Sequence, residues 1–126
     1  MNEEKEYINT FKKNIEIVSH YGVKKQMPIW IEEMSELIKV ICKWARNYDE
    51  LEGDLSHNLR DDFYEEITDV TICLDQLKYI LQFKEEDLMK EYEFKVDRQL
   101  KRMAGEENEW RKLSKIKLKN TTRWKQ

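Results

Sequence analysis

The stretch Trp30–Ile41, WIEEMSELIKVI, decides how this chain is read. Trp30, Ile31, Met34, Leu37, Ile38 and Ile41 recur at the spacing of one helical stripe. Three glutamates, Glu32, Glu33 and Glu36, crowd against the apolar side, with no basic residue next to them. Burial disfavours the charged form of a carboxylate. Acids placed there call for a compensating positive charge.

The same period extends outward from this segment. A first helix is expected from about Asn2 to His20, with Tyr7, Ile8, Phe11, Ile15 and Val18 on its stripe. Gly22 marks its stop. The second helix spans about Lys24 to Tyr48, with Pro28 in its first turns, where a missing N–H is tolerated. The polar segment Asp49–His57, containing Gly53, reads as a loop. A third helix follows, capped by Asn58 and ending near Phe83. A fourth runs from about Glu85 to Met103 and stops near Gly105. The expectation is an all-α four-helix bundle over residues 1–105, followed by a basic C-terminal extension, 106–126.

Composition narrows the class. The chain has 126 residues, 39% charged and 40% hydrophobic, with one proline and three glycines. That balance suits a soluble protein of long striped helices, and narrow stripes on a short chain favour oligomerisation. A formal net charge of −3 argues against a protein that coats nucleic acid. Cys42 and Cys73 form no CxxC pattern, so a reducing, cytoplasmic setting is expected. There is no secretory pattern at the N-terminus, and no apolar run is long enough to span a bilayer.

Helix two has an echo in helix three. A shift of 33 positions sets Trp30, Glu33, Met34, Glu36, Leu37, Val40 and Ile41 over Phe63, Glu66, Ile67, Asp69, Val70, Cys73 and Leu74. At about 100° per residue, Glu33 and Glu36 lie roughly 100° and 160° to one side of Met34, and Glu66 and Asp69 lie likewise beside Ile67. Ile29, Val40 and Trp44 share that flank on helix two, and Cys73 and Ile80 share it on helix three. Antiparallel packing lets the four carboxylates converge. Protonation relieves their repulsion in part, and a hard divalent cation relieves it better. Oxygen ligands with open positions select Mg²⁺, with Mn²⁺ as the alternative. The competing reading is a solvated acidic face.

Glu32-Glu33-Met34-Ser35-Glu36 followed by Glu66-Ile67-Thr68-Asp69 resembles the EExxE…ExxD motif of the all-α nucleoside triphosphate pyrophosphatases, the MazG-like superfamily. The flanking stretches HYGVKKQMPIWIEEMSELIKVICKW and EEITDVTICLDQLKYI resemble its short single-domain members, and the likeness covers about Phe11 to Met103. The loop between the two halves is at the long end for the family. The resemblance implies Mg²⁺-dependent hydrolysis of a (deoxy)nucleoside triphosphate to monophosphate and pyrophosphate, serving nucleotide-pool control in a cytoplasmic homodimer or homotetramer. It implies Glu33, Glu36, Glu66 and Asp69 as metal ligands. Glu32 would orient the site or help activate water, or else be solvated.

Lys95, Arg98 and Arg102 recur at i, i+3 and i+7 on the fourth helix and suit a triphosphate, or else form a solvated face. His20, Gln26 and Trp44 are candidates for base contact, Gln26 through its amide and Trp44 by stacking or as packing. Trp30 reads as core. The tail interleaves basic residues with Trp110 and Trp124 and is expected to be disordered or to pack on another subunit.

One rival is a related enzyme on the same scaffold, a phosphoribosyl-ATP pyrophosphatase or a nucleoside diphosphate-accepting relative. The other is a non-enzymatic helical interaction module whose basic tail binds nucleic acid or a protein partner.

Overall fold

The structure is a computed structural model that describes the backbone from Asn2 to Trp124 and the side chains from Asn2 to Ile116. Among the described residues it is all-helical: α1 (Glu3–Tyr21), α2 (Val23–Arg46), α3 (His57–Ile80) and α4 (Glu85–Trp124), with no strand. Among the described residues, no helix is long and apolar enough to cross a membrane. The chain divides into two compact units, Met1–Phe83 and Lys84–Gln126.

Local chemistry explains the ends of the first unit's helices. The Asn2 side chain accepts from the Glu4 N–H at 3.4 Å, and Glu3, Glu4 and Glu6 complement the positive end of the α1 dipole. Gly22 closes α1 and opens α2 at once. Its N–H donates to the Val18 carbonyl at 2.9 Å, and its carbonyl accepts from the Gln26 N–H at 3.1 Å. It does this at φ 81° and ψ 166°, a backbone state open essentially to glycine alone. A Cβ there would meet no atom within 4 Å. Gly22→Ala is therefore expected to cost about 1–3 kcal/mol through the backbone alone. An unchanged urea midpoint would contradict this.

Three helix ends differ from the sequence-based expectation. α2 stops at Arg46, before Tyr48, because the chain turns at Asn47, whose N–H donates to the Trp44 carbonyl at 3.1 Å. Ser56, not Asn58, caps α3; its hydroxyl accepts from the Leu59 N–H at 3.3 Å. A serine two residues earlier captures the orphan N–H first. α3 ends at Ile80, short of Phe83, followed by Gln82 at φ 57°.

α2 and α3 run antiparallel. The Trp44 ring meets Phe63 at 5.7 Å, and the Trp30 indole reaches Gln76. Their contact does not follow the stripe chosen from sequence. Ile31 and Ile38 are 67% and 59% exposed, and Met27 and Ile41 are also exposed. Turned inward instead are Gln26, Trp30, Glu33, Leu37, Val40 and Trp44, a heptad-like seam with spacings of three and four. On α3 the matching face carries Leu59, Phe63, Glu66, Val70, Cys73, Gln76 and Ile80. The core is Val18, Trp30 and Cys73, with Val23, Leu77 and Ile80 against it.

A polar hub crosses this core. The Gln76 carbonyl oxygen accepts from Trp30 Nε1 at 2.8 Å and from Gln26 Nε2 at 3.0 Å. Its amide donates to Asn14 Oδ1 at 2.7 Å, and the Asn14 amide donates to the Ile72 carbonyl at 3.1 Å. One glutamine on α3 thereby ties α1 and α2 together.

The second unit differs most from expectation. α4 does not stop near Gly105; it continues as helix to Trp124. One exposed mid-helix glycine costs about 1 kcal/mol, too little to end a helix flanked on both sides by strong formers. The side chains of residues 117–126 in the basic extension lie outside the described residues.

Candidate metal centre

Two acids of the seam and one beside it define the site. Glu33 projects from α2; Glu66 and Asp69, one turn apart, project from α3. One oxygen from each lies within 4.8 Å of the others, and all three side chains are half-buried. They belong to this face because Glu33 follows Trp30 by three residues and Glu66 precedes Cys73 by seven, so seam geometry turns them inward.

The electrostatics match that placing. Burial pushes the Glu33 carboxyl above its ordinary range, and the Asp69, Glu66 and Glu32 charges push it further. Burial also raises Glu66, followed by Asp69, Glu65, Glu36 and Asp62. The Cys73 thiol beside them is raised by burial and by Glu33 and Asp69, which keeps it protonated. Among the described residues, Glu66 Oε2 is buried and has no hydrogen-bond partner. A buried anionic oxygen without a donor is costly. Two oxygens sharing one Mg²⁺ or Mn²⁺ stand at most about 4.2 Å apart, given bonds near 2.1 Å. The three carboxylates thus fit a small oxygen-loving cation with slight adjustment.

Glu36 stands apart from this trio. Its Oε1 pairs with Lys39 Nζ at 2.9 Å, and the ion pair raises the lysine's pKa. The glutamates therefore do have a basic neighbour, one helical turn beyond Glu36. The Lys39 side chain is exposed and that of Glu36 is 40% exposed, so solvent screens the pair. Glu32 is exposed and reaches the centre through its charge on Glu33.

The remaining candidates are scattered. Gln26 is buried with its amide donating into the Gln76 hub, and His20 is exposed with its ring edge-on to Tyr21 at 4.8 Å. Trp44 is half-buried, with an indole N–H that is buried and has no partner among the described residues. It lines a groove of about 360 Å³ with Leu55, Arg60, Phe63, Tyr64, Ile67 and Thr68. The Arg60 guanidinium lies 5.7 Å from the Tyr64 ring centre. Lys95, Arg98 and Arg102 are exposed on α4 in the other unit, with Arg98 over Phe94 at 5.7 Å. Sequence reading overlooked Asn14 and Gln76, which order the helices. The available signal was the placing of Gln26 and Gln76 beside Trp30 and Cys73 on the seam.

No family model, curated protein or solved structure matches this chain.

Proposed function

We propose that this chain hydrolyses a (deoxy)nucleoside triphosphate to the monophosphate and pyrophosphate, using Mg²⁺ or Mn²⁺. The observation that carries the reading is the convergence of Glu33, Glu66 and Asp69 within 4.8 Å around a carboxylate oxygen that lacks any donor. The EExxE…ExxD resemblance supports the choice of substrate.

Glu33, Glu66 and Asp69 would hold the ion, joined by Glu36 once it leaves Lys39. When bound, the ion would neutralise polyphosphate charge and acidify a water. Water adds at the α–β phosphate linkage, the bridging P–O bond breaks, and the two products separate. Glu32, exposed next to Glu33, is suited to take the proton that this water loses. The aromatic groove beside Trp44 is suited to stacking a nucleobase. The exposed apolar stripe of α2, with Ile31 and Ile38, supports assembly as a homodimer or homotetramer.

The test is product analysis. Purified protein is incubated with Mg²⁺ or Mn²⁺ and a panel of ribo- and deoxynucleoside triphosphates, and the products are resolved. Monophosphate and pyrophosphate in equal amounts support the reading. Release of inorganic phosphate alone, or no turnover with either metal, overturns it.

A further inference from the structure

α4 carries a surface that the proposed activity leaves unused. The helix has 40 residues and is about 60 Å long at 1.5 Å per residue. Met89, Tyr92, Val96, Leu100, Met103 and Trp110 fall within an arc of about 80° at 100° per residue. All six are exposed, Trp110 at 70%. A helix of this length draws most of its stability from packing such a stripe.

The charge pattern identifies what covers it. From Glu85 to Asp97, six acids stand against two lysines; from Trp110 to Trp124, six basic residues stand against no acid. Glu93 and Asp97 lie on one flank of the stripe. Arg111 and Lys115 follow them by 18 residues each, five whole turns, and so lie on the same flank. Within one helix these charges are about 27 Å apart, well beyond the screening length of about 8–10 Å. They cannot satisfy each other in the same chain.

We propose that α4 pairs with α4 of a second copy, antiparallel, through this stripe. Antiparallel packing brings like flanks together. One two-fold register then sets Glu93 against the partner's basic segment at position 115 and Asp97 against it at position 111, and symmetry repeats both pairs. Parallel pairing instead sets acidic segment beside acidic segment and basic beside basic. The inference concerns α4 alone and stands or falls independently of the proposed hydrolysis.

A charge swap on the full chain tests it by sedimentation velocity at low salt. One variant carries Glu93→Lys and Asp97→Lys; the other carries Arg111→Glu and Lys115→Glu. Far-UV circular dichroism of each checks that helicity is retained. Each variant alone should self-associate at least about tenfold more weakly than the wild type, and an equimolar mixture should regain wild-type association. Raising salt should weaken the wild-type dimer and the mixture alike. Association unchanged in either variant, a wild-type chain that stays monomeric, or a mixture no tighter than its components would each overturn the antiparallel pairing.

Discussion

Glu66→Gln is expected to lower Mg²⁺-dependent nucleotide hydrolysis by at least about a hundredfold while leaving the helices intact. Loss of a group that only orients a metal ligand already costs about 10- to 100-fold, and Glu66 would be a ligand itself. Its Oε2 is buried without a donor, and its neighbours are Asp69 and Glu33. Glutamine keeps the shape and removes the charge. Without metal, the variant should be the more stable protein, because one of three crowded anions is gone. Mg²⁺ should then stabilise the wild type and leave Glu66→Gln nearly unaffected. Steady-state kinetics and thermal melts with and without Mg²⁺ check both halves. A variant with full activity removes Glu66 from the site.

The pH dependence follows from the same group of acids. Glu33 and Glu66 hold protons more tightly folded than unfolded. The folded state therefore binds more protons in the window just above the ordinary carboxylate range. Metal-free stability contributed by these groups falls as pH rises through that window. Cation binding must displace those protons, so metal affinity rises over the same window. Thermal melts without metal across this pH range should show the decline, and Glu66→Gln should flatten it.

The second large effect is expected at Gln76. Gln76→Leu leaves the Trp30 indole N–H and the Gln26 amide without the oxygen that both use, and Asn14 Oδ1 without a donor. Trp30 and Gln76 are 5% and 3% exposed, so water does not readily replace the lost partner. Each stranded buried group costs about 1–3 kcal/mol. The two buried ones, on Trp30 and Gln26, bring the expected total to about 2–6 kcal/mol, large against the usual 5–15 kcal/mol of a whole domain. Gln76→Glu offers a sharper comparison. When protonated it can accept from Trp30 and donate to Asn14. When ionised it sets acceptor against acceptor at Asn14. Its stability should therefore be closest to wild type at low pH and fall as pH rises. A urea midpoint in Gln76→Leu within about 0.5 kcal/mol of wild type would show that the hub is dispensable.

Much of the architecture was readable before the structure. Period 3.6 located all four helices, and the 33-position echo set Glu33 against Glu66 on facing antiparallel helices. The most apolar stripe of α2 does not face inward. Ile31 and Ile38 out-rank Gln26 and Glu33 in hydropathy, yet the latter pair turns toward α3. Trp30 and Gln76 explain this. A hydrogen-bonded indole–glutamine pair fixes the rotation of α2, and the polar seam positions follow from it. Hydropathy cannot register a pairing made across 46 residues. Ser56 and Asn58 are both good capping residues, and the hydrogen bond from the Leu59 N–H decides for Ser56. Gly105 does not stop α4, because strong helix formers flank it. Within the candidate site, Glu33, Glu66 and Asp69 converge, whereas Glu36 is held by Lys39, an i,i+3 pair visible in sequence. The assignments of Lys95, Arg98 and Arg102 rest on their spacing along α4 and on the resemblance.

The central claim is that Glu33, Glu66 and Asp69 form a site for a hard divalent cation. The most direct measurement is titration of Mn²⁺ into metal-free protein, reading the free ion by electron paramagnetic resonance. The wild type should remove Mn²⁺ from solution at a saturable site that Mg²⁺ competes for, and Glu66→Gln should bind at least about tenfold more weakly. Equal free Mn²⁺ in the two titrations at every point would contradict the claim and make the three carboxylates a crowded but vacant acidic seam.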